Sequence, residues 1–211
     1  MPIGLPDYEP VDSELQSTRK KGRDRRVEIL RVAALLFSSK GFEATTIREI
    51  GDAAGILAGS LYHHFPSKDA ILHELLKAFL VRLVPMYEEI VKRQNSVKDT
   101  IEQMIASGLK ISLESSPELA IIMNERKFLD KNPEFVYVGE TMQDIERIWF
   151  GVLQEGVRNG SFRADLNLNL VLRMIMDLIS ATVGWYGPNS RYSVEEVVDT
   201  QVKLITHGFI N

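Results

Sequence analysis

The chain has 211 residues and no cysteine, with 45% hydrophobic and 26% charged residues. That length suits one large domain or a small one fused to a larger one, and the lack of cysteine excludes disulfides, thiolate nucleophiles and cysteine-ligated metals. The net charge of −4 is unevenly spread: residues 1–18 carry four carboxylates and no base, residues 19–68 hold ten Lys/Arg against five Asp/Glu, and residues 69–211 hold fifteen against twenty. A basic block on an acidic body points to a polyanion-binding end on a carrier with another task.

Pro2, Pro6 and Pro10 alternate with Asp7, Glu9, Asp12 and Glu14 without an apolar core. No secretory signal is expected from this stretch, and an irregular arm is predicted over 1–22. Within it and just beyond, Arg19-Lys20-Lys21-Gly22-Arg23 could touch phosphates or the minor groove. The longest apolar runs are broken by Arg, Lys or Asp, so no membrane contact and a cytoplasmic location are expected.

From Val27 onward apolar residues recur at helical spacing and strand alternation is nearly absent, so the fold class is all-α. The first helix is predicted from Arg23 to Lys40, with Val27, Leu30, Ala34, Leu35 and Phe37 on its apolar face and Gly41 as its stop. Arg25, Arg26 and Arg31 read as a solvated face. Thr46, three residues before Glu49, forms a capping box that opens a short second helix, which Gly55 ends. Ile47, Ile50, Ala53 and Ala54 would face inward. A third helix runs from Ala58 to Phe65, stopped by Pro66, and Ser67 caps a fourth from Lys68 to about Gln94, with a kink expected at Pro85. Further helices are predicted near 97–115, 117–129, 134–158, 167–186 and 194–209. The domains are then a helix-turn-helix domain over 23–67 and a helical ligand-binding and dimerisation domain over 68–211, about nine helices in all.

Two short helices joined by a Gly-containing turn make a helix-turn-helix, the second helix sized for the major groove of DNA. Ala53, Ala54 and Gly59 are small where the pair must approach. Leu61 and Phe65 would face the core, leaving Ala58, Ser60, Tyr62, His63 and His64 on the remaining surface. Tyr62 and His63 can donate to phosphates, and Ser60 can bond a base edge or a phosphate. Leu57 and Ala58 make the base-facing start apolar, so Ser60 and thymine methyls would carry specificity.

Thr45-Thr46-Ile47-Arg48-Glu49-Ile50, followed by Gly55-Ile56-Leu57-Ala58-Gly59-Ser60-Leu61-Tyr62-His63-His64-Phe65-Pro66-Ser67-Lys68, resembles the signature of TetR-family transcriptional regulators. The resemblance implies a three-helix DNA-binding head, a divergent ligand-binding body and a homodimer on a double-stranded operator. It also implies phosphate contacts from the positions of Thr46, Tyr62, His63 and Lys68. Leu57 departs from the Ser or Thr common at its position and removes a hydrogen bond. The same run together with Trp185-Tyr186 is similar to regulators of steroid or fatty-acid catabolism, whose effectors are acyl-CoA thioesters. Met176 and Ser180 stand where those steroid regulators would have arginine and tryptophan, so their ligand is not carried over.

All methionines except the initiator fall between residues 86 and 176, which suits a cavity for flexible ligands. Expected lining positions are Phe79, Leu83, Met86 and Tyr87 on the fourth helix and Met104, Ile105 and Leu109 on the next. Met123, Trp149 and Leu153 follow, then Met174, Asp177 and Leu178. Asp177 also reads as an intrahelical partner of Arg173. Leu168, Val171, Leu172, Ile175, Ile179, Val183 and Tyr186 on the penultimate helix would pair across a two-fold axis with Val194, Val197, Val198, Val202, Ile205 and Phe209 of the last.

Adjacent His63 and His64 project about 100° apart on a helix and cannot easily share one ion, so no metal is expected. No cofactor is expected, and no nucleophile–base cluster argues for an enzyme. The reading is a repressor released from its operator by a small hydrophobic or acyl effector. An activator and a non-DNA helical binding module remain open at this point.

Overall fold

The computed structural model describes residues 12–187 and 189–210, with side chains from Asp24 onward. Helix α1 spans Asp12–Lys40, α2 Ile47–Ala54, α3 Ala58–Leu61 and α4 Lys68–Lys92. They are followed by α5 Val97–Glu114, α6 Ser116–Asn124, α7 Arg126–Lys131, a 3-10 turn at Pro133–Phe135, α8 Val136–Arg158, α9 Leu168–Trp185 and α10 Val194–Phe209. The all-α expectation holds.

Several boundaries differ from expectation. Helix α1 starts at Asp12 rather than Arg23, so residues 12–22 are helical and not an irregular arm; Glu14, Leu15, Gln16 and the basic run are good helix formers once the prolines end. The side chains of the basic run 19–23, like residues 1–11 altogether, lie outside the described residues. The predicted helix 117–129 is two helices, broken at Glu125. Pro85 sits inside α4 without ending it. It lies on the exposed side, where water can satisfy the carbonyl its ring leaves unpaired.

In the head, Ile29, Ala33 and Phe37 of α1 form the buried stripe with Ile50, Leu61, Phe65, Ile71 and Leu72. The stripe is rotated from the predicted one, for Val27 and Leu35 point outward. In the body, α4 packs along α8, and α5 packs against α9 and α10. Gly156 is required by packing: a Cβ there would lie 2.0 Å from the Phe162 ring.

Helix α9 is apolar on both sides. Leu172, Ile175, Ile179 and Thr182 turn into the protomer, and Leu170, Met174 and Trp185 turn away from it. On α10, Val197, Val198 and Phe209 are buried within the protomer while Leu204 is exposed. The faces expected to pair across a two-fold axis therefore belong largely to the protomer's own core, and the opposite faces are free. A buried Gln201–Thr182 hydrogen bond of 2.5 Å fixes α10 on α9 from the inside. Contrary to the expectation from its charges, α9 is long and apolar enough to cross a membrane, with 22% of it buried in the protomer. Its exposed Arg173–Asp177 pair is ill-suited to lipid.

Candidate nucleic-acid interface and effector chamber

The helix-turn-helix is built by local chemistry. Thr46 is extended (φ −104°), and its hydroxyl accepts from Glu49 N–H while the Glu49 carboxylate accepts from Thr46 N–H at 2.8 Å. Both halves of the predicted capping box are present. Hydrogen bonding from Lys40, then from Thr46, holds the Glu49 carboxyl down at about 2. Gly55 closes α2 at φ 67°, a conformation other residues resist. The close approach of α2 to the following turn is made at Gly51, where a Cβ would come 3.0 Å from the Ile56 carbonyl. Ala53 is exposed and Gly59 has open space around it, so the predicted small contacts there are not used. Helix α3 is shorter than predicted and ends at Leu61, because His63 N–H and His64 N–H close three-residue turns on Ser60 and Leu61.

The predicted contact residues separate into two groups. Leu57, Tyr62 and His63 are exposed, and Ala58 and Ser60 are half-buried beside them. The side chains of Tyr62 and His63 have no partner among the described residues. Thr46 and Lys68 are occupied instead. The Thr46 hydroxyl donates to Glu49 at 2.9 Å. The Lys68 ammonium donates to the carbonyls of Phe42, Glu43 and Thr45 at 2.7, 3.3 and 2.8 Å, and lies 4.4 Å over the Phe42 ring. Lys68 thus staples α4 to the loop that leads into α2.

Two arginines read as solvated are structural. Arg25 donates to the Ala54 carbonyl at 3.1 Å and caps α2. Arg26 pairs with Glu74, donates to the His64 carbonyl and lies 3.9 Å over the Phe65 ring, tying α1 to α4 and to the end of the α3 turn. Arg31 pairs with Glu28 at 2.8 Å and is solvated, as expected. A further contact bridges head and body: Phe42 N–H donates to the Glu125 carboxylate at 2.8 Å, and the Phe42 ring meets Phe128 at 5.0 Å. Nothing local in the sequence marks Glu125.

The expected effector positions also divide. Phe79, Leu83, Tyr87, Met104, Ile105, Leu109, Trp149 and Leu153 are buried in one cluster. Met86 and Leu178 are half-buried at its edge. Met123 and Met174 are exposed, and Asp177 is on the outer face of α9, bonded to Arg173 at 3.0 Å. Contrary to expectation, those three lie outside the buried cluster. Inside the cluster, Tyr87 and Trp149 meet edge to face at 5.4 Å. Burial raises the Tyr87 pKa, and the nearby indole N–H only partly offsets this. The approach falls short of hydrogen-bond geometry, so Trp149 Nε1 is a buried donor without a partner among the described residues. A groove of about 510 Å³ lies elsewhere, between α5 and α10, and its wall includes Asp99, Glu102, Glu195 and Asp199 against Lys110. Its charge is unfavourable for an anionic effector.

Residues 29–75 match the bacterial regulatory proteins of the tetR family, and residues 87–209 match the tetracyclin repressor-like C-terminal domain. The chain is 39% identical over 184 residues to the HTH-type transcriptional repressor KstR2 of Rhodococcus jostii, covering 87% of this chain and 90% of that one. It is 36% identical to KstR2 of Mycolicibacterium smegmatis, covering 90% and 93%. The solved structure of the ketosteroid transcriptional regulator KstR2 of Mycobacterium tuberculosis superposes with a TM-score of 0.85 at 33% identity, covering 89% of this chain and 95% of that one.

Proposed function

The chain belongs to the TetR family of bacterial regulatory proteins and is a DNA-binding transcriptional repressor, not an enzyme; from that premise we propose that a hydrophobic acyl effector releases it from its operator. Regulators of this family bind operator DNA and act as dimers. Here the outer faces of α9 and α10, with Leu170, Met174, Trp185 and Leu204, pair across the two-fold axis. The two heads then enter successive major grooves about 34–36 Å apart, with Leu57, Ala58 and Ser60 toward the bases and Tyr62 and His63 toward phosphates. Thr46 adds its hydroxyl to a phosphate by turning from Glu49.

The effector occupies the cluster around Tyr87, Met104 and Trp149, whose walls are apolar and whose unpartnered indole N–H suits a keto or thioester carbonyl. Among acyl compounds we favour a coenzyme A thioester of a steroid fragment, because relatives above 30% identity include a ketosteroid regulator. The observation that carries the mechanism is the continuity of α4: Lys68 staples its first turn to the head, and Phe79, Leu83 and Tyr87 are buried in the cluster further along. A ligand that enters and spreads this cluster turns α4 and carries the head with it. Glu125, held to Phe42, gives a second link. A coupling of about 1–3 kcal/mol between effector and DNA is the usual range for such a device.

The test is a thermal-shift screen of the purified protein over steroid-derived acyl-CoAs, fatty acyl-CoAs, free fatty acids and free coenzyme A. A tight ligand stabilises by mass action, and a saturating acyl-CoA should raise Tm while free coenzyme A does not. Equal shifts from all four, or none, would contradict the proposed effector.

A further inference from the structure

Leu57 is 80% exposed, the highest value among the large hydrophobic side chains described. It is also the N-cap of α3 (φ −67°, ψ 142°), and no side chain there bonds the free N–H groups of the turn. A Ser or Thr at this position would supply that bond. Leucine thus forgoes a cap and leaves apolar surface in water, two penalties to folding. Its neighbours on the same surface, Tyr62 and His63, are polar and exposed.

A side chain retained at a cost to folding has its use in the complex. The major-groove edges of the bases carry one apolar group, the C5-methyl of thymine. We infer that Leu57 is a specificity residue that packs on thymine methyls in each half-site. The inference rests on the proposed entry of α3 into the groove. It names the feature the operator must present there, a thymine methyl in place of the hydrogen-bonding edge a Ser or Thr would read.

The perturbation removes the methyl without changing base pairing. A fragment of the DNA flanking the repressor's own gene is amplified with dUTP in place of dTTP, and binding is compared with that to the thymine fragment. Burying one methyl at each half-site corresponds to about fourfold, so the wild-type dimer should lose about 15-fold on the uracil fragment. Leu57→Ser should bind the thymine fragment more weakly by a similar factor and lose nothing further on uracil. Its Tm should rise by about 2–4 °C, because the cap is restored. Leu57→Met, which keeps an apolar side chain, should retain the uracil sensitivity. Equal losses on uracil for wild type and Leu57→Ser would overturn the inference while leaving operator binding intact. No preference of the wild-type protein for the fragment over unrelated DNA would overturn the groove placement itself, and the inference with it.

Discussion

Replacing Lys68 by Met separates two roles that the signature and the structure assign to one residue. Resemblance implies a phosphate contact, whereas the ammonium here donates to three carbonyls of the loop Phe42–Thr45 and lies over the Phe42 ring. Methionine keeps the apolar stem and its packing on Phe42 but removes every donor. Hydrogen bonds from a charged donor contribute about 1.5–3 kcal/mol each when sheltered. Lys68 is half-buried and water can reach the freed carbonyls, so the expected cost is about 2–3 kcal/mol in total rather than three full bonds. For a protein of this size that lowers Tm by about 4–12 °C. The loss should be local: amide exchange in α2 and the loop before it should accelerate while α8 stays protected. The second readout is the salt dependence of binding to unrelated DNA, whose slope falls by about one for each phosphate that the protein no longer neutralises. A staple predicts a lower Tm with an unchanged slope. An unchanged Tm with a slope reduced by about two, one for the Lys68 of each protomer, would refute the reasoning and restore the phosphate role.

The remaining predictions concern the capping box and the dimer. Glu49 is held at about 2, below its ordinary 4.5, so its contribution is complete above about pH 4.5 and is lost as pH falls through 2. Helix α2 should therefore loosen in that window, and Glu49→Gln should abolish the pH dependence in an acid titration followed by amide exchange. Met174→Glu places a carboxylate on the free face of α9, near Asp177 of the same face. It should yield monomers in analytical ultracentrifugation and weaken operator binding at least tenfold, with little change in the monomer's helix content.

What the sequence made legible follows from how far each determinant reaches. The capping box at Thr46 and Glu49, the stop at Gly55 and the cap at Ser67 each act within four residues, so residue order alone draws the head in outline. The Arg26–Glu74 pair spans 48 residues and the Glu125–Phe42 bond 83, and no local pattern announces either. Lys68 was recognisable as important, yet its acceptors are backbone carbonyls that any sequence would supply. Helix α9 shows a different limit. Both its faces are apolar, so periodicity gave its helical character but not which face is inside: Leu172, Ile175 and Ile179 turn into the protomer, and Met174 and Asp177 turn out of it. The burial of Phe79, Leu83 and Tyr87 was legible because they recur at helical spacing along α4.

The central claim is that effector and operator compete through one protein. It is tested most directly by fluorescence anisotropy on a labelled fragment of the DNA flanking the repressor's own gene, titrated with and without a saturating steroid-derived acyl-CoA. The account predicts tight, sequence-specific binding that weakens by about 5–150-fold when the acyl-CoA is present. It also requires reciprocity, so operator should weaken acyl-CoA binding by the same factor. An operator affinity that stays the same while the acyl-CoA is demonstrably bound would contradict it.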